Sequence, residues 1–129
     1  MKKFYTLFLL LFFLTACGQN VTEEDFLVGG TWVAIAGYED GKAKGEPNCH
    51  PLEEGSEFRN ENTVYNASFD RDFDYWLYED DGVSKIHFGD SKTGGSYNYQ
   101  IKKISDDEIV LVGLDYSISK GNSCYLERK

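Results

Sequence analysis

Short apolar or alternating segments, separated by clusters of turn-forming residues, constrain the fold of this 129-residue chain more than any other feature. Eight segments are candidate strands: 31–38, 56–60, 63–69, 73–78, 83–88, 96–104, 108–113 and 123–128. Gly, Asn, Asp and Ser cluster between them, as at 80–82 and 93–95, and favour tight turns there. Apart from one predicted helical turn at 22–27, the segments lack the apolar period of a helix. The pattern therefore predicts an all-β fold.

The short connections favour an antiparallel up-and-down meander, in which each strand pairs with the next along the chain. A meander of about eight strands avoids exposed edges by closing into a barrel, and we predict such a small barrel here. Residues 39–52 are the exception, because they form a long loop around Cys49. The strand at 73–78 is also unusual, since both of its faces carry aromatic residues.

The N-terminus has the pattern of a secretion signal. Lys2 and Lys3 precede an almost unbroken apolar run at 8–14, and small residues then lead into Cys17. The ending Leu-Thr-Ala-Cys resembles the bacterial lipobox, which implies that residues 1–16 are a lipoprotein signal peptide and that Cys17 is acylated. The alternative is a retained anchor helix, but the apolar run is about a dozen residues, short of the roughly 20 that span a bilayer.

This resemblance also implies an address and a division of the chain. Residues 17–26 would be the lipidated cysteine and a short tether, and residues 27–129 the barrel domain. The diacylglyceryl anchor would hold the domain on the extracytoplasmic side of the cell membrane or the outer membrane. An Asp directly after the lipidated cysteine would resemble an inner-membrane retention signal, but residue 18 is Gly. We therefore expect the protein in the outer membrane of a double-membraned host.

The charge of the processed protein restricts its partners. Loss of Lys2 and Lys3 leaves 11 basic residues against 22 acidic ones, a net charge of −11. Such a surface repels phosphate backbones, so we expect no nucleic acid partner. It either steers cationic partners towards the protein or keeps the protein soluble.

Two cysteines remain once Cys17 is assigned to the lipid. In an oxidising compartment Cys49 and Cys124 are expected to form one disulfide, which would pin the long loop to the last strand. They are not a Cys-x-x-Cys redox pair, although a lone or redox-active thiol is the alternative.

Three residues carry a resemblance to the calycin superfamily, specifically to small bacterial lipocalin-like domains. Gly30 and Trp32 match the Gly-x-Trp motif of the first strand, and Arg128 matches the basic residue of the last strand. The resemblance implies that Arg128 packs across Trp32 and closes the barrel through a cation–π contact. It also implies a non-catalytic binding module for a small hydrophobic or amphipathic ligand. The chain is much shorter than full-length lipocalins, so we expect a barrel interior filled by side chains at least as much as one with an open ligand cavity.

A second resemblance gives the alternative function. The chain is similar to small anchored barrels that inhibit lysozyme in its lipobox, its acidity and its cysteine pair. Segments 93–97 and 120–121 resemble loop motifs of those barrels, with different spacing. This resemblance implies an acidic module that captures or inhibits a cationic protein.

The binding candidates are aromatic residues, which combine apolar area with a polar tip. They are Tyr65, Tyr75, Trp76, Tyr78, Tyr97 and Tyr99. The alternative is that most of them belong to the barrel core or wall.

No catalytic role or cofactor is predicted. The chain has only His50 and His87 as histidines and lacks a Gly-x-Ser-x-Gly, phosphate-loop or His-Glu-x-x-His motif. Asp70, Asp72 and Asp74 have the spacing that opens a calcium loop. The Gly and the closing Glu of such a loop are missing, so we expect an ordinary turn at 70–74 and no metal.

Overall fold

The computed structural model describes residues 25–114, 117 and 119–129, and every regular element in these ranges is a β-strand. The strands are β1 (Trp32–Ala36), β2 (Tyr38–Glu39), β3 (Lys42–Ala43), β4 (Ser56–Phe58), β5 (Thr63–Asn66), β6 (Arg71–Asp80), β7 (Val83–Asp90), β8 (Gly95–Ser105), β9 (Glu108–Gly113) and β10 (Ser123–Arg128).

Eight of these strands form a closed antiparallel barrel in the order β1-β10-β9-β8-β7-β6-β5-β4, while β2 and β3 form a separate hairpin. Each strand from β4 to β10 pairs with the next, so the predicted meander is confirmed. Closure is uneven, because β1 pairs with β10 along its length and meets β4 only at Trp32 and Ser56.

Four strands differ from their predicted limits by one or two residues at one or both ends, and three other segments differ in kind. The expected strand 31–38 is interrupted at Gly37, which exchanges backbone hydrogen bonds with Gly45 and Lys44. The expected strand 63–69 ends at Asn66, where the amide of Phe69 bonds back to the Asn66 carbonyl. Of the predicted helical turn at 22–27, the described part is a single turn rather than a helix, closed by one backbone bond to Asp25.

Aromatic rings fill the described barrel interior. Phe58 contacts Tyr75 edge-to-face at 4.8 Å between centroids and lies 6.3 Å from Phe88. Phe88 in turn lies 6.3 Å from the buried ring of Tyr99. Edge-to-face and tilted contacts of this kind add to the free energy gained from burial, so these rings form the centre of the core.

The long loop covers one end of the barrel, which we call the Cys49 end. Its disulfide to Cys124 is confirmed, with the two Cα atoms 5.6 Å apart. The neighbouring His50 ring packs edge-on against Phe69 at 4.9 Å and Tyr97 at 5.4 Å. The protein's own side chains therefore occupy this end among the described residues.

A shielded ion pair supports the same end. Arg71 donates two hydrogen bonds to the Asp90 carboxylate, which is only 4% exposed. The hydrogen bond from Arg71 lowers the pKa of Asp90 to about 2, and Thr93 and the Lys92 amide act in the same direction. The Arg71 guanidinium also lies 5.0 Å from the Phe69 ring, so the pair fixes the turns around the barrel end.

Candidate functional site

The structure divides the six aromatic candidates between the two sides of the barrel wall. Alternate residues of a strand point to opposite faces, so neighbours in sequence are separated. Tyr75, Tyr97 and Tyr99 are on the interior side, whereas Tyr65, Trp76 and Tyr78 are on the outer side. The sequence alone could not make this division.

Packing accounts for all three interior tyrosines, and two of them also bond to the backbone. The Tyr75 hydroxyl donates to the Asn60 carbonyl, and the Tyr99 hydroxyl to the His50 carbonyl, both at 2.6 Å. Burial raises the pKa of both phenols to about 12. These side chains hold loops against the barrel, which is a structural role.

Two of the three outer candidates, Trp76 and Tyr78, belong to one cluster of side chains. Trp76 is 50% exposed, and its ring stacks on His87 with centroids 4.0 Å apart and 20° between the planes. His87 Nδ1 lies 2.9 Å from the Asn98 side-chain oxygen, and the Tyr78 hydroxyl donates to that same oxygen at 3.5 Å. Trp76, Tyr78, His87 and Asn98 are called the Trp76 cluster below.

The contact with the Asn98 side-chain oxygen determines which tautomer neutral His87 adopts. An amide oxygen accepts only, so neutral His87 donates from Nδ1 and keeps a lone pair on Nε2. A Cβ added at Gly89 would lie 3.4 Å from Nε2, so this acceptor faces the space above Gly89. In this tautomer the cluster presents a hydrogen-bond acceptor beside the indole.

Two open grooves meet at Trp76. The first has a volume of about 290 Å³ and runs along the outer face of β6, β7 and β8. It is lined by Asp74, Trp76, His87, Gly89, Asp90, Ser91, Gly94, Gly95 and Ser96. The second, of about 260 Å³, is lined by Glu61, Asn62, Trp76 and Leu77. Each groove contains an exposed carboxylate next to the indole.

The basic residues around these grooves already have acidic partners. Lys85 pairs with Asp80 at 2.9 Å, Arg59 with Asp72 at 3.5 Å, and Arg71 with Asp90. Within the described part of the chain, Asp74 and Glu61 belong to no ion pair. The grooves are consequently acidic and available to a cation.

Tyr65 lies apart from the Trp76 cluster. Its hydroxyl donates to Asp70 at 2.5 Å, and the Arg59 guanidinium lies 5.1 Å from its ring. The hydrogen bond to Asp70 raises the pKa of Tyr65. The hydroxyl and the ring face of Tyr65 are thus both engaged within the protein.

The expected turn at 70–74 is wrong for two of its three acids. Asp70 is in a turn, with a φ of 51°, but Asp72 and Asp74 lie in β6, which begins at Arg71. Cross-strand pairing of Tyr65 with Asp72 and of Thr63 with Asp74 extends the strand further than the acidic sequence suggested. Among the described residues, no group of three His, Cys, Asp or Glu is placed to hold a metal ion.

The predicted closing residues meet at the end of the barrel opposite the disulfide. The Arg128 guanidinium carbon lies 4.6 Å from the Trp32 ring centroid, and the indole N–H donates to the Leu27 carbonyl at 3.0 Å. Gly30 has a φ of 70°, and a Cβ there would lie 2.8 Å from the Arg128 side chain. A side chain at Gly30 would therefore displace Arg128.

Cys17 and the N-terminal signal pattern lie outside the described residues. Within the described ranges, the structure contains no helix that is both long and apolar enough to cross a membrane.

The Trp76–His87 stack was missed by sequence reasoning, although a signal for it exists. A two-residue hairpin turn at Asp81-Gly82 sets the register of β6 and β7 and pairs Trp76 with His87. Counting outwards from this turn would have found the pair.

The fold defines the class as a closed eight-stranded antiparallel barrel, compatible with a lipocalin-like domain. The chain matches no protein-family model, and neither a curated protein nor a solved structure shows significant similarity to it.

Proposed function

We propose that the protein is a lipid-anchored extracytoplasmic lipoprotein whose lipocalin-like barrel captures a cationic protein on its outer surface, without catalysis. The observation that carries this proposal is Trp76, half exposed between two grooves that each contain an unpaired carboxylate. Exposed aromatic residues are enriched at protein interfaces, and an indole face attracts cations.

The overall charge supports the same choice of partner. Processing before Cys17 would leave 11 basic and 22 acidic residues, and a net charge of −11 attracts basic proteins over a distance. Electrostatic steering of this kind raises association rates and weakens with salt. Anchoring through Cys17 would place the acidic surface outside the cell membrane or on the outer membrane.

A second candidate is the binding of a small hydrophobic or amphipathic ligand. The groove of about 290 Å³ beside Trp76 favours it, because this volume is close to the lower limit of small-molecule sites. The described interior is filled by contacting rings such as Phe58 and Tyr75, so such a ligand would lie in the outer groove.

The capture function is tested by immobilising the processed lipoprotein in detergent and passing basic proteins, lysozyme among them, over it at low ionic strength. We expect retention that falls steeply as salt is added, whereas acidic proteins of similar size pass through. Failure to retain any basic protein would contradict the proposal. Native mass spectrometry showing a bound small molecule would support the second candidate instead.

The anchor is tested separately by growing the host with labelled palmitate. Label should enter the wild-type protein, and Cys17→Ala should remove it. Equal labelling of both proteins would contradict acylation at Cys17.

A further inference from the structure

We propose that the groove beside Trp76 is the docking pocket for a single arginine side chain of the partner protein. This inference rests on the proposed capture function and adds the residues and the chemistry by which the partner is recognised. The guanidinium would lie against the indole of Trp76 and bond to Asp74 and His87.

The indole supplies the first interaction. His87 covers one side of the Trp76 ring by stacking, and half of the side-chain surface remains exposed. A guanidinium stacks on such a face by both cation–π attraction and planar contact, and it is more weakly hydrated than an ammonium group. The platform therefore suits arginine better than lysine.

The polar groups of the groove supply the second interaction, and they are acceptors. Asp74 offers a carboxylate without an ion-pair partner in the described residues, and the neutral tautomer of His87 that donates to Asn98 offers the lone pair of Nε2. Ser91 and Ser96 line the same groove, and a hydroxyl can also accept a hydrogen bond. A guanidinium carries five N–H donors and no acceptor, so it complements this set.

The buried acid of the groove does not compete for the ligand. Asp90 already accepts hydrogen bonds from Arg71, Thr93 and the Lys92 amide. Asp74 is therefore the carboxylate left to pair with an incoming cation.

Gly89 provides the space. It lies between Asp74 and Ser96 in the sheet, and a Cβ there would meet only His87, at 3.4 Å or more. A larger side chain at this position would occupy the groove and cover Nε2. Gly89→Val is therefore a steric test that leaves the acidic residues unchanged.

The experiment measures binding of a labelled peptide of alternating Arg and Gly to the processed lipoprotein in detergent, at low ionic strength. A peptide in which citrulline replaces Arg is the control, because citrulline keeps the shape and removes the charge. We expect Trp76→Ala, Asp74→Asn and Gly89→Val each to weaken binding of the Arg peptide about tenfold. Loss of charge in the citrulline peptide should remove most of the binding.

Two matched variants control for general effects. Ile35→Ala removes an apolar side chain of similar exposure, 45%, from β1, and Asp81→Asn removes an exposed charge from the β6–β7 turn. Both should bind within about twofold of the wild type, as surface changes outside a binding site do. Thermal unfolding of all five variants checks that each is folded.

A spectroscopic measurement locates the peptide. The Trp76 indole N–H signal should shift during an NMR titration, while that of Trp32 stays in place because it is buried and bonded to Leu27. Asp74→Asn should reduce the shift at a given peptide concentration. This readout does not depend on a folding defect in the Trp76 variant.

Four outcomes would overturn the arginine pocket. The first is that the citrulline peptide binds as tightly as the Arg peptide, and the second is that Asp74→Asn and Gly89→Val bind the Arg peptide as tightly as the wild type. The third is that the Arg peptide does not shift the Trp76 signal. The fourth is that this signal shifts with a neutral oligosaccharide and not with the Arg peptide, which would make the groove a sugar site. If the wild type still retains basic proteins in any of these cases, the capture function stands and the pocket is wrong. If the wild type retains no basic protein, the capture function itself is wrong.

Discussion

The guanidinium carbon of Arg128 lies 4.6 Å from the centroid of the Trp32 ring, so the last strand of the barrel covers the first. The same guanidinium donates to the Phe26 carbonyl at 3.0 Å and to Asp107 at 3.1 Å. It thereby joins the entry to β1, the β8–β9 turn and the end of β10. One side chain closes this end of the barrel by stacking and by hydrogen bonds together.

Replacing Arg128 should therefore destabilise the barrel strongly. We expect Arg128→Ala to lower the free energy of unfolding by about 2–4 kcal/mol, because a network of charge-assisted bonds and a cation–π contact is lost. Arg128→Lys should recover only part, since an ammonium group lacks the planar fork. Urea denaturation measures both, with Arg59→Ala as the control.

Arg59 also lies over an aromatic ring, that of Tyr65, but its ion pair with Asp72 is about half exposed. Its replacement should cost less than about 1 kcal/mol. Equal losses for the two arginines would show that closure does not depend on Arg128.

The disulfide should contribute as much as any side-chain network. It links residues 75 positions apart, and the lost chain entropy of so long a loop corresponds to about 4 kcal/mol. We expect Cys49→Ser/Cys124→Ser to lower the unfolding midpoint, and a reducing agent to lower that of the wild type alike. A reducing agent should leave the double variant unchanged, and any further decrease there would point to another cause.

The strand pattern could be predicted because turns and alternation are local. Asp81-Gly82 fixes the β6–β7 hairpin through positive φ values of 53° and 74°. The pairing of the six strands from β4 to β9 follows from connections of two to four residues. The path of the long loop could not be predicted, since it depends on distant contacts. His50 enters the barrel end by packing on Phe69 and Tyr97, neither of which is near it in sequence.

The candidate site was predicted only in part, for the same reason. The segment 73–78 carries aromatic residues on both faces, which indicates that its outer face is not an ordinary solvent-exposed surface. The pattern does not indicate which of the two faces is the outer one. Burial of Tyr75 and exposure of Trp76 follow from the closure of the whole barrel. The ion pair of Arg71 and Asp90 joins the far ends of two strands and is likewise invisible in the sequence.

The ion pair of Asp90 with Arg71 should make the free energy of unfolding depend on pH in the acidic range. Arg71 lowers the pKa of Asp90 in the folded protein to about 2, below its ordinary value in the unfolded chain, so the ionised carboxylate stabilises the fold. This contribution is complete above about pH 4 and is lost as the pH falls towards 2. Asp90→Asn should lower stability at neutral pH and flatten its decrease between these values.

The measurement is urea denaturation across the acid range, with Asp106→Asn as the control. Asp106 pairs with Lys103 through a carboxylate that is 89% exposed, so its replacement should leave the slope nearly unchanged. An unaltered slope in Asp90→Asn would contradict a role for this carboxylate in acid stability.

The Tyr99 hydroxyl should make the free energy of unfolding fall as the pH rises in the alkaline range. Burial raises its pKa in the folded protein to about 12, above that of the unfolded chain, so its contribution is complete below about pH 10 and is lost as the pH rises through 12. Tyr99→Phe should reduce the alkaline loss and cost about 1 kcal/mol at neutral pH, because the bond to the His50 carbonyl is removed. Ultraviolet titration of tyrosinate and urea denaturation measure the two effects. Tyr38→Phe, which alters a half-buried ring, is the control, and an equal alkaline response in both variants would show that Tyr99 is not responsible.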